Sequence, residues 1–259
     1  MKESPGVFLR RLLSAWKSHE KDDAARATGW YWIAVALLLP VGVGVFTGIH
    51  FLSRWLWSPA LSLFLTLSAL PLSCLLVVVS AQAADRKFRL RERLGWTGWN
   101  LDNLKKALLL LLVMLPVIWG VNALSLGVFE FFGWPVRNPV LQQMFQRGSW
   151  MSVGMVAFTA IILAPVTEEV IFRRIIFTAI SSKAGNLAGI AVTSLLFALV
   201  HDCSAQMPAL FLLGVAMQLL YLERKGLAAP IMMHGCNNAL AVGLMILGRL
   251  YHWDWVFEL

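Results

Sequence analysis

Long apolar stretches separated by short polar segments are the first feature of this chain. Seven stretches carry few or no charged side chains, at residues 31–52, 59–84, 107–129, 151–181, 184–201, 203–222 and 226–248. Each is close to or longer than the roughly 20 residues that a helix needs to cross a bilayer. The pattern predicts an all-α fold, a polytopic bundle of about seven transmembrane helices. Six to eight are compatible with it, because the fourth and fifth stretches are barely separated.

Composition and charge agree with a membrane protein. Of the 259 residues, 59% are hydrophobic and 14% are charged, whereas a soluble domain is about 45–50% apolar and about 25% charged. The net charge of +8 does not indicate a nucleic-acid-binding protein, because the basic residues follow the alternation of the loops. The three cysteines have no paired spacing, so neither a disulfide framework nor a zinc knuckle is expected.

Basic residues are concentrated in alternate loops. Six precede the first apolar stretch, seven lie in the segment 85–106, and three more lie in later loops on the same side, which are Lys183, Arg224 and Lys225. Four loop arginines fall on the opposite side. Because positive loops stay in the cytoplasm, we expect a cytoplasmic N-terminus and an exterior C-terminus. The expected location is a bacterial plasma membrane, with the lipid bilayer as a partner.

The character of the chain changes along its length. Its four segments are a cytoplasmic basic segment (1–28), three plain spans with a basic linker at 85–106 (29–148), a core with polar groups inside its apolar stretches (149–250) and a C-terminal tail (251–259). Residues 8–16 are apolar and basic, which predicts an amphipathic helix on the inner leaflet.

Ionisable and amide side chains accumulate inside the apolar stretches of the core. They are Glu168, Glu169, Arg173, Arg174, His201, His234, Asn237 and Asn238. An ionisable group in the membrane costs about 2.5 kcal/mol or more unless it is paired or faces a cavity. A cluster of them over several helices therefore predicts a functional site.

The acidic pair divides on a helical wheel. Glu169 and Arg173 are four residues apart, so they share a face and can form an ion pair. Glu168 is rotated by about 100° and cannot readily share that arginine. This favours a structural Glu169 and a reactive Glu168. The alternative is two structural ion pairs, in which Arg174 serves Glu168.

Two further pairs have the same helical spacing. Phe197 precedes His201 by four residues, and His234 precedes Asn238 by four, with Asn237 competing at the third position. The functional interpretation is an imidazole pair with an amide beside it. The alternative is a set of interhelical hydrogen bonds, which polar residues also supply in membranes.

Depth in the membrane can be counted from the helix ends. Glu168 and His201 lie about 14 and about 16 residues from the turn between their helices, which places them nearly level at 1.5 Å per residue. His234 starts only about 8 residues into its stretch, which leaves it about 10 Å from that level. Gly235 beside it is expected to leave room for a substrate backbone.

These residues resemble the three-motif signature of the CPBP family. The matching motifs are Glu168-Glu169-x-x-x-Arg173, Phe197-x-x-x-His201 and His234-x-x-x-Asn238. The family comprises the type II CAAX prenyl endopeptidases and the bacteriocin-processing or immunity proteins, also called the Abi family. The resemblance covers residues 150–245 approximately, and the three N-terminal spans lie outside it.

The resemblance implies an intramembrane endopeptidase that acts on a membrane-associated peptide or protein. By it, Glu168 is the general base that activates water and His201 helps to hold that water. His234 and Asn238 stabilise the oxyanion. Supporting residues around the site are Glu169, Arg173 and Phe197.

The resemblance leaves metal dependence open. No cofactor is favoured, since the chain lacks the His-Glu-x-x-His helix of a strong zinc assignment. Zinc is the alternative, held by Glu168, His201 and His234 with water in the fourth position. Two other kinds of function compete with hydrolysis. One is a catalytically idle scaffold or immunity protein, and the weaker one is a transporter with polar groups along an ion path.

Overall fold

The structure, a computed structural model, describes residues 4–17, 29–53, 55, 62, 65–84, 95–136, 148–201 and 204–253. In these ranges the chain forms helices and no strand. Before the core come helices α1 (Pro5–Ser14), α2 (Gly29–Ser53), α3 (Ala69–Ala84) and α4 (Leu101–Phe131). The core begins with α5 (Trp150–Phe158), a first π turn (Thr159–Leu163), α6 (Ala164–Glu169) and a second π turn (Val170–Ile176). It continues with α7 (Phe177–Leu199), α8 (Met207–Arg224) and α9 (Ala228–Tyr251).

The predicted all-α polytopic bundle is confirmed. Five helical segments are long and apolar enough to span a membrane, namely Tyr31–Ser53, Leu101–Phe131, Trp150–Leu199, Ser204–Arg224 and Ala228–Tyr251. Helix α3 is apolar but shorter over its described residues. The 50-residue segment Trp150–Leu199 is kinked at Gly185, where φ is 82° and ψ is 166°. The predicted stretches 151–181 and 184–201 are its two arms.

The amphipathic N-terminal helix lies against the bundle. Phe8 and Leu12 of α1 are buried in the main hydrophobic core. Arg11 pairs with Glu223 at the end of α8, with Nη2 and Oε1 separated by 2.6 Å. The amphipathic pattern holds, but the apolar face of α1 packs on protein, because α8 offers both an apolar surface and a carboxylate.

Segments predicted to share the cytoplasmic side meet at one end of the bundle. The amide of Leu227 donates to the carbonyl of Gly95 at 2.9 Å, and Arg224 pairs with Asp102 at 2.9 Å. Helix α4 begins at Leu101, inside the predicted linker, because Asn100 caps it by accepting from the amide of Asn103 at 2.9 Å. The remainder of the linker, 85–94, lies outside the described residues.

The packing encloses the segment that carries the acidic pair. Helices α2 and α3 pack together, α3 contacts α6, and α2 contacts the second π turn. Helix α9 contacts α6, the first π turn and α4, while α8 packs between α4 and α7. The N-terminal spans and α9 therefore both contact the region around α6, which places its side chains in the interior.

Candidate active site

The acidic pair ends a short α-helix that has a π turn on each side. Glu168 and Glu169 are the last residues of α6, which follows the first π turn and precedes the second. π turns are rare and occur often at functional sites. Glu169 is fully buried, whereas the Glu168 side chain keeps 12% of its surface exposed. The two neighbouring carboxylates therefore differ in surroundings from the outset.

Glu169 and Arg173 form the ion pair that their spacing predicts. Arg173 Nε lies 3.0 Å from Glu169 Oε2, and both side chains are at most 1% exposed. Neither of these two atoms has a hydrogen-bond partner among the described residues, so their contact is an ion pair without a hydrogen bond. The guanidinium also stacks on the Phe197 ring, 4.9 Å from its centroid. Charge attraction and the ring face therefore hold this buried cation.

The other oxygen of Glu169 reaches His234, a contact that the sequence did not predict. His234 Nδ1 lies 3.0 Å from Glu169 Oε1. Since the carboxylate is paired with Arg173, it accepts, and Nδ1 carries the hydrogen. Glu169 thus orients the His234 imidazole as well as neutralising Arg173. The other ring nitrogen of His234, Nε2, points away from Glu169.

His201 is fixed in a similar way by a backbone group. Its Nδ1 lies 2.7 Å from the carbonyl oxygen of Phe197, and a carbonyl can only accept, so Nδ1 is the donor. The Phe197 ring contacts both imidazoles, with centroids 4.6 Å from His201 and 5.7 Å from His234. One fully buried phenylalanine therefore packs against both histidines and Arg173.

Both imidazoles point at Glu168. His201 Nε2 and His234 Nε2 each lie 3.8 Å from Glu168 Oε2. That oxygen is buried and has no hydrogen-bond partner among the described residues. The offset of about 10 Å counted for His234 from its helix end is wrong, because counting assumes that helices enter at equal depth without tilt. The three atoms instead converge on one small volume.

The amide of Asn238 points to the first π turn. Its Nδ2 donates to the carbonyl oxygen of Ala160 at 2.8 Å, which leaves one amide hydrogen for another acceptor. Gly235 also faces this turn, since a Cβ there would come within 3.0 Å of the Ile161 carbonyl oxygen. The room expected for a substrate backbone beside Gly235 is filled by the protein's own chain.

Arg174 lies on another face of the helix. Its Nη1 donates to the hydroxyl of Tyr221 at 2.8 Å, and its guanidinium lies 5.7 Å from the Tyr31 ring. The interpretation in which Arg174 serves Glu168 is therefore not the arrangement observed. Asn237 lies beside Asn238 and donates to its Oδ1 at 3.4 Å.

The three converging groups fit a divalent cation in chemistry but are spaced more widely than a closed metal shell. Two imidazole nitrogens and a carboxylate are zinc ligands, and each Nδ1 has the outer acceptor that such histidines require. Ligands of tetrahedral zinc lie about 3.3 Å apart, whereas each imidazole nitrogen here lies 3.8 Å from the carboxylate oxygen. No described cluster of His, Cys, Asp and Glu is compact enough to hold a metal without adjustment.

The motif-bearing segment matches a known family. Residues 148–240 match the model described as type II CAAX prenyl endopeptidase Rce1-like. This match supports the resemblance to the CPBP family that the three motifs indicate. Residues 1–147 lie outside the match, and no solved structure matches the chain.

Curated relatives support the same family. The chain is 34% identical over 96 residues to "Membrane-embedded CAAX protease MroQ" of Staphylococcus aureus, covering 35% of this chain and 39% of the relative. It is 29% identical over 91 residues to "Putative membrane peptidase YdiL" of Bacillus subtilis, covering 35% and 37%. An "Uncharacterized 24.3 kDa protein" of Escherichia coli is 30% identical over 140 residues, covering 50% and 63%. The chain thus spans under two fifths of the first two relatives.

Proposed function

We propose that this protein is an intramembrane endopeptidase that hydrolyses a peptide bond of a membrane-associated peptide or protein. The observation that carries the proposal is the convergence of His201 Nε2 and His234 Nε2 on Glu168 Oε2, at 3.8 Å each. In a neutral pair of imidazoles these three atoms are all acceptors, because both Nδ1 hydrogens are already donated. Such an arrangement binds a small molecule with two hydrogens to donate, and water is that molecule.

Glu168 is the general base in this proposal. It and His201 accept the two hydrogens of a water, whose oxygen attacks the peptide carbonyl carbon as Glu168 takes one proton. The C–N bond then breaks, and the proton on Glu168 passes to the departing amine. The products are a carboxylic acid and an amine, because the second water hydrogen stays on the new hydroxyl group, so the step needs no other reactant.

The oxyanion formed in this attack needs donors. The uncommitted amide hydrogen of Asn238 is one. The Nε2–H of His234 is another, formed when that ring takes the water proton from Glu168, to which it returns the proton as the C–N bond breaks. Glu169 at Nδ1 balances the charge of a protonated His234, as carboxylate–histidine pairs do in other hydrolases. The buried surroundings strengthen each of these interactions.

The proposal uses no metal. Glu168, His201 and His234 would hold a zinc ion in the alternative, and the ion would polarise the attacking water. The spacing of 3.8 Å leaves space for a water bound by hydrogen bonds without moving the three side chains. A transporter is disfavoured, because its polar groups would be strung through the membrane rather than directed at one oxygen.

A scaffold or immunity protein of the same family would keep the fold without turnover. Membranes from cells that express wild-type protein, Glu168→Gln or Glu130→Gln distinguish the two functions. Glu130 is a carboxylate near the end of α4, far along the chain from the motifs, and serves as the matched control. Mass spectrometry of protein termini should find new N-termini with the wild type and the control and none with Glu168→Gln. Identical termini in all three would contradict a peptidase.

A further inference from the structure

The first π turn leaves two backbone carbonyls without their usual helical donors. The amide of Ala164 bonds to Thr159, five residues back, and so bypasses the carbonyl of Ala160. The next residue is Pro165, which has no amide hydrogen to give to Ile161. Carbonyls of this kind inside a membrane-spanning segment require partners from elsewhere.

Helix α9 supplies a contact for each carbonyl. Asn238 Nδ2 donates to Ala160 at 2.8 Å, and Gly235 brings its backbone against Ile161, where any Cβ would be crowded. The side-chain oxygen of Asn238 accepts from Asn237 at 3.4 Å, which sets the direction of the amide. The turn is thus closed by residues of the helix that carries His234.

The π turn also decides which way Glu168 faces. Val153 and Val156, before the turn, pack with Val242 of α9 in one apolar cluster. Glu168 follows Ala160 by eight residues, which in a regular helix rotates it by about 80° from the Ala160 face. One extra residue in the turn makes the effective spacing seven, which returns Glu168 to within about 20° of that face.

We infer that Asn238 is a positioning residue, whose amide holds the π turn open and thereby keeps Glu168 facing His234. The inference rests on the proposed function only in giving Glu168 a catalytic task, since the geometry stands without it. It assigns to the asparagine of the third motif a role separate from oxyanion binding. The positioning role depends on the amide hydrogen that Asn238 donates to Ala160, and oxyanion binding depends on the other amide hydrogen.

A pair of cysteine cross-links measures this geometry independently of activity. The experiment uses full-length protein whose three native cysteines have been replaced. One introduced cysteine pair replaces Glu168 and His234. A control pair replaces Val156, which precedes the first π turn, and Val242 of α9, which packs in the same apolar cluster. A short bifunctional thiol reagent is added in membranes. Each pair is compared with and without Asn238→Asp, which keeps the size of the side chain but lacks the donor.

We expect Asn238→Asp to lower the 168–234 cross-link severalfold, since a return to the regular helix rotates residue 168 by about 100°. The 156–242 cross-link should stay unchanged. Pro165→Ala, which restores an amide hydrogen for Ile161, should give the same selective loss with Asn238 intact. An unchanged 168–234 cross-link would overturn the inference. An equal loss of the 168–234 and 156–242 cross-links would also overturn the inference, because the amide of Asn238 would then hold the two helices together rather than set the rotation of residue 168 about its helix axis.

The outcome separates this inference from the proposed function. Absence of hydrolysis by the wild-type protein, together with a selective cross-link loss in the cysteine variants, would reject the peptidase and keep the positioning role. Loss of hydrolysis by Asn238→Asp in the protein that keeps Glu168 and His234, together with normal 168–234 cross-linking of the cysteine variant that carries Asn238→Asp, would leave Asn238 with oxyanion binding alone and reject the positioning role.

Discussion

Two adjacent carboxylates in this protein have different surroundings. Glu169 is fully buried between Arg173 and the Nδ1 of His234, so both of its oxygens have charged or donating partners. Glu168 has a buried oxygen that faces two acceptor nitrogens instead. The first carboxylate is stabilised where it stands, whereas the second is the one that we propose as the general base. Their difference arises from direction on the helix rather than from residue type.

Helical spacing predicts the short-range part of this arrangement and misses the long-range part. The pairing of Glu169 with Arg173 follows from their four-residue separation. The contact of Glu169 with His234 joins residues 65 apart in the chain, and a single sequence contains no local signal for it. The same limit applies to the contact between Asn238 and Ala160.

The buried ion pair gives a prediction for stability. Glu169→Gln should leave the Arg173 guanidinium uncompensated and cost about 3–5 kcal/mol, seen as a lower Tm or poor accumulation. Arg173→Met, which keeps most of the volume over Phe197, should also destabilise the protein. The double variant should be more stable than the sum of the two losses allows, because it removes both charges together. Thermal denaturation of the four purified proteins measures this cycle, and strictly additive losses would contradict the pairing.

Metal dependence gives a prediction at the same site. If Glu168 and His201 activate water directly, protein treated with chelator should keep its rate of hydrolysis, and elemental analysis should find less than one zinc per chain. Stoichiometric zinc that is removed together with activity, and restores it on return, would replace the water site by a zinc site of Glu168, His201 and His234.

At the scale of helices, the core is built from interrupted elements. Between Trp150 and Leu199 the chain passes two π turns and a kink at Gly185. Apolar periodicity predicts that helices exist here. It does not predict the direction in which their side chains face, because one extra residue in a π turn rotates every residue that follows. Pro165 is the local signal that could have indicated the first turn, because it removes a helical donor three residues before Glu168.

The kink offers a prediction for one helix. Gly185 has φ of 82°, and a Cβ at this position would meet no atom within 4 Å, so Gly185→Ala suffers from backbone strain rather than from a clash. We expect a loss of roughly 1–3 kcal/mol, measured as a lower Tm. Gly154→Ala is the matched control, since Gly154 is helical and equally uncrowded, and it should change stability by less than about 1 kcal/mol. Equal effects of both changes would contradict the kink.

At the scale of the whole molecule, α1 and two connecting segments meet at one end of the bundle. Arg11 contacts Glu223, the backbone of Leu227 contacts Gly95, and Arg224 contacts Asp102. The alternation of charged loops predicted that these segments share a side, and the contacts agree with it. Which compartment that side faces is a prediction from the charges alone. The number and order of apolar stretches came from the sequence, whereas the contacts of α3 with α6 and of α2 with the second π turn did not.

Reporter fusions test the orientation. Fusions after residues 100, 183 and 225 should report the cytoplasm, and a fusion after residue 140 should report the exterior, because basic loops are retained inside. A reporter that reads exterior at 100 or 225 would reverse the assignment. Because residues 95–103 contact residues 223–227, the fusions after residues 100 and 225 should report the same side of the membrane, whichever side that is.

The central claim is that Glu168 activates the water that cleaves the peptide bond. Its most direct test is the single-turnover rate of purified full-length protein in lipid nanodiscs, on a peptide that spans a cleavage site found in the membrane experiment. Glu168→Gln should fold with an unchanged Tm and cleave about 10²–10⁴-fold more slowly, because the amide cannot take a proton. Cleavage at the wild-type rate by Glu168→Gln, or an inactive Glu169→Gln of full stability beside it, would contradict this account.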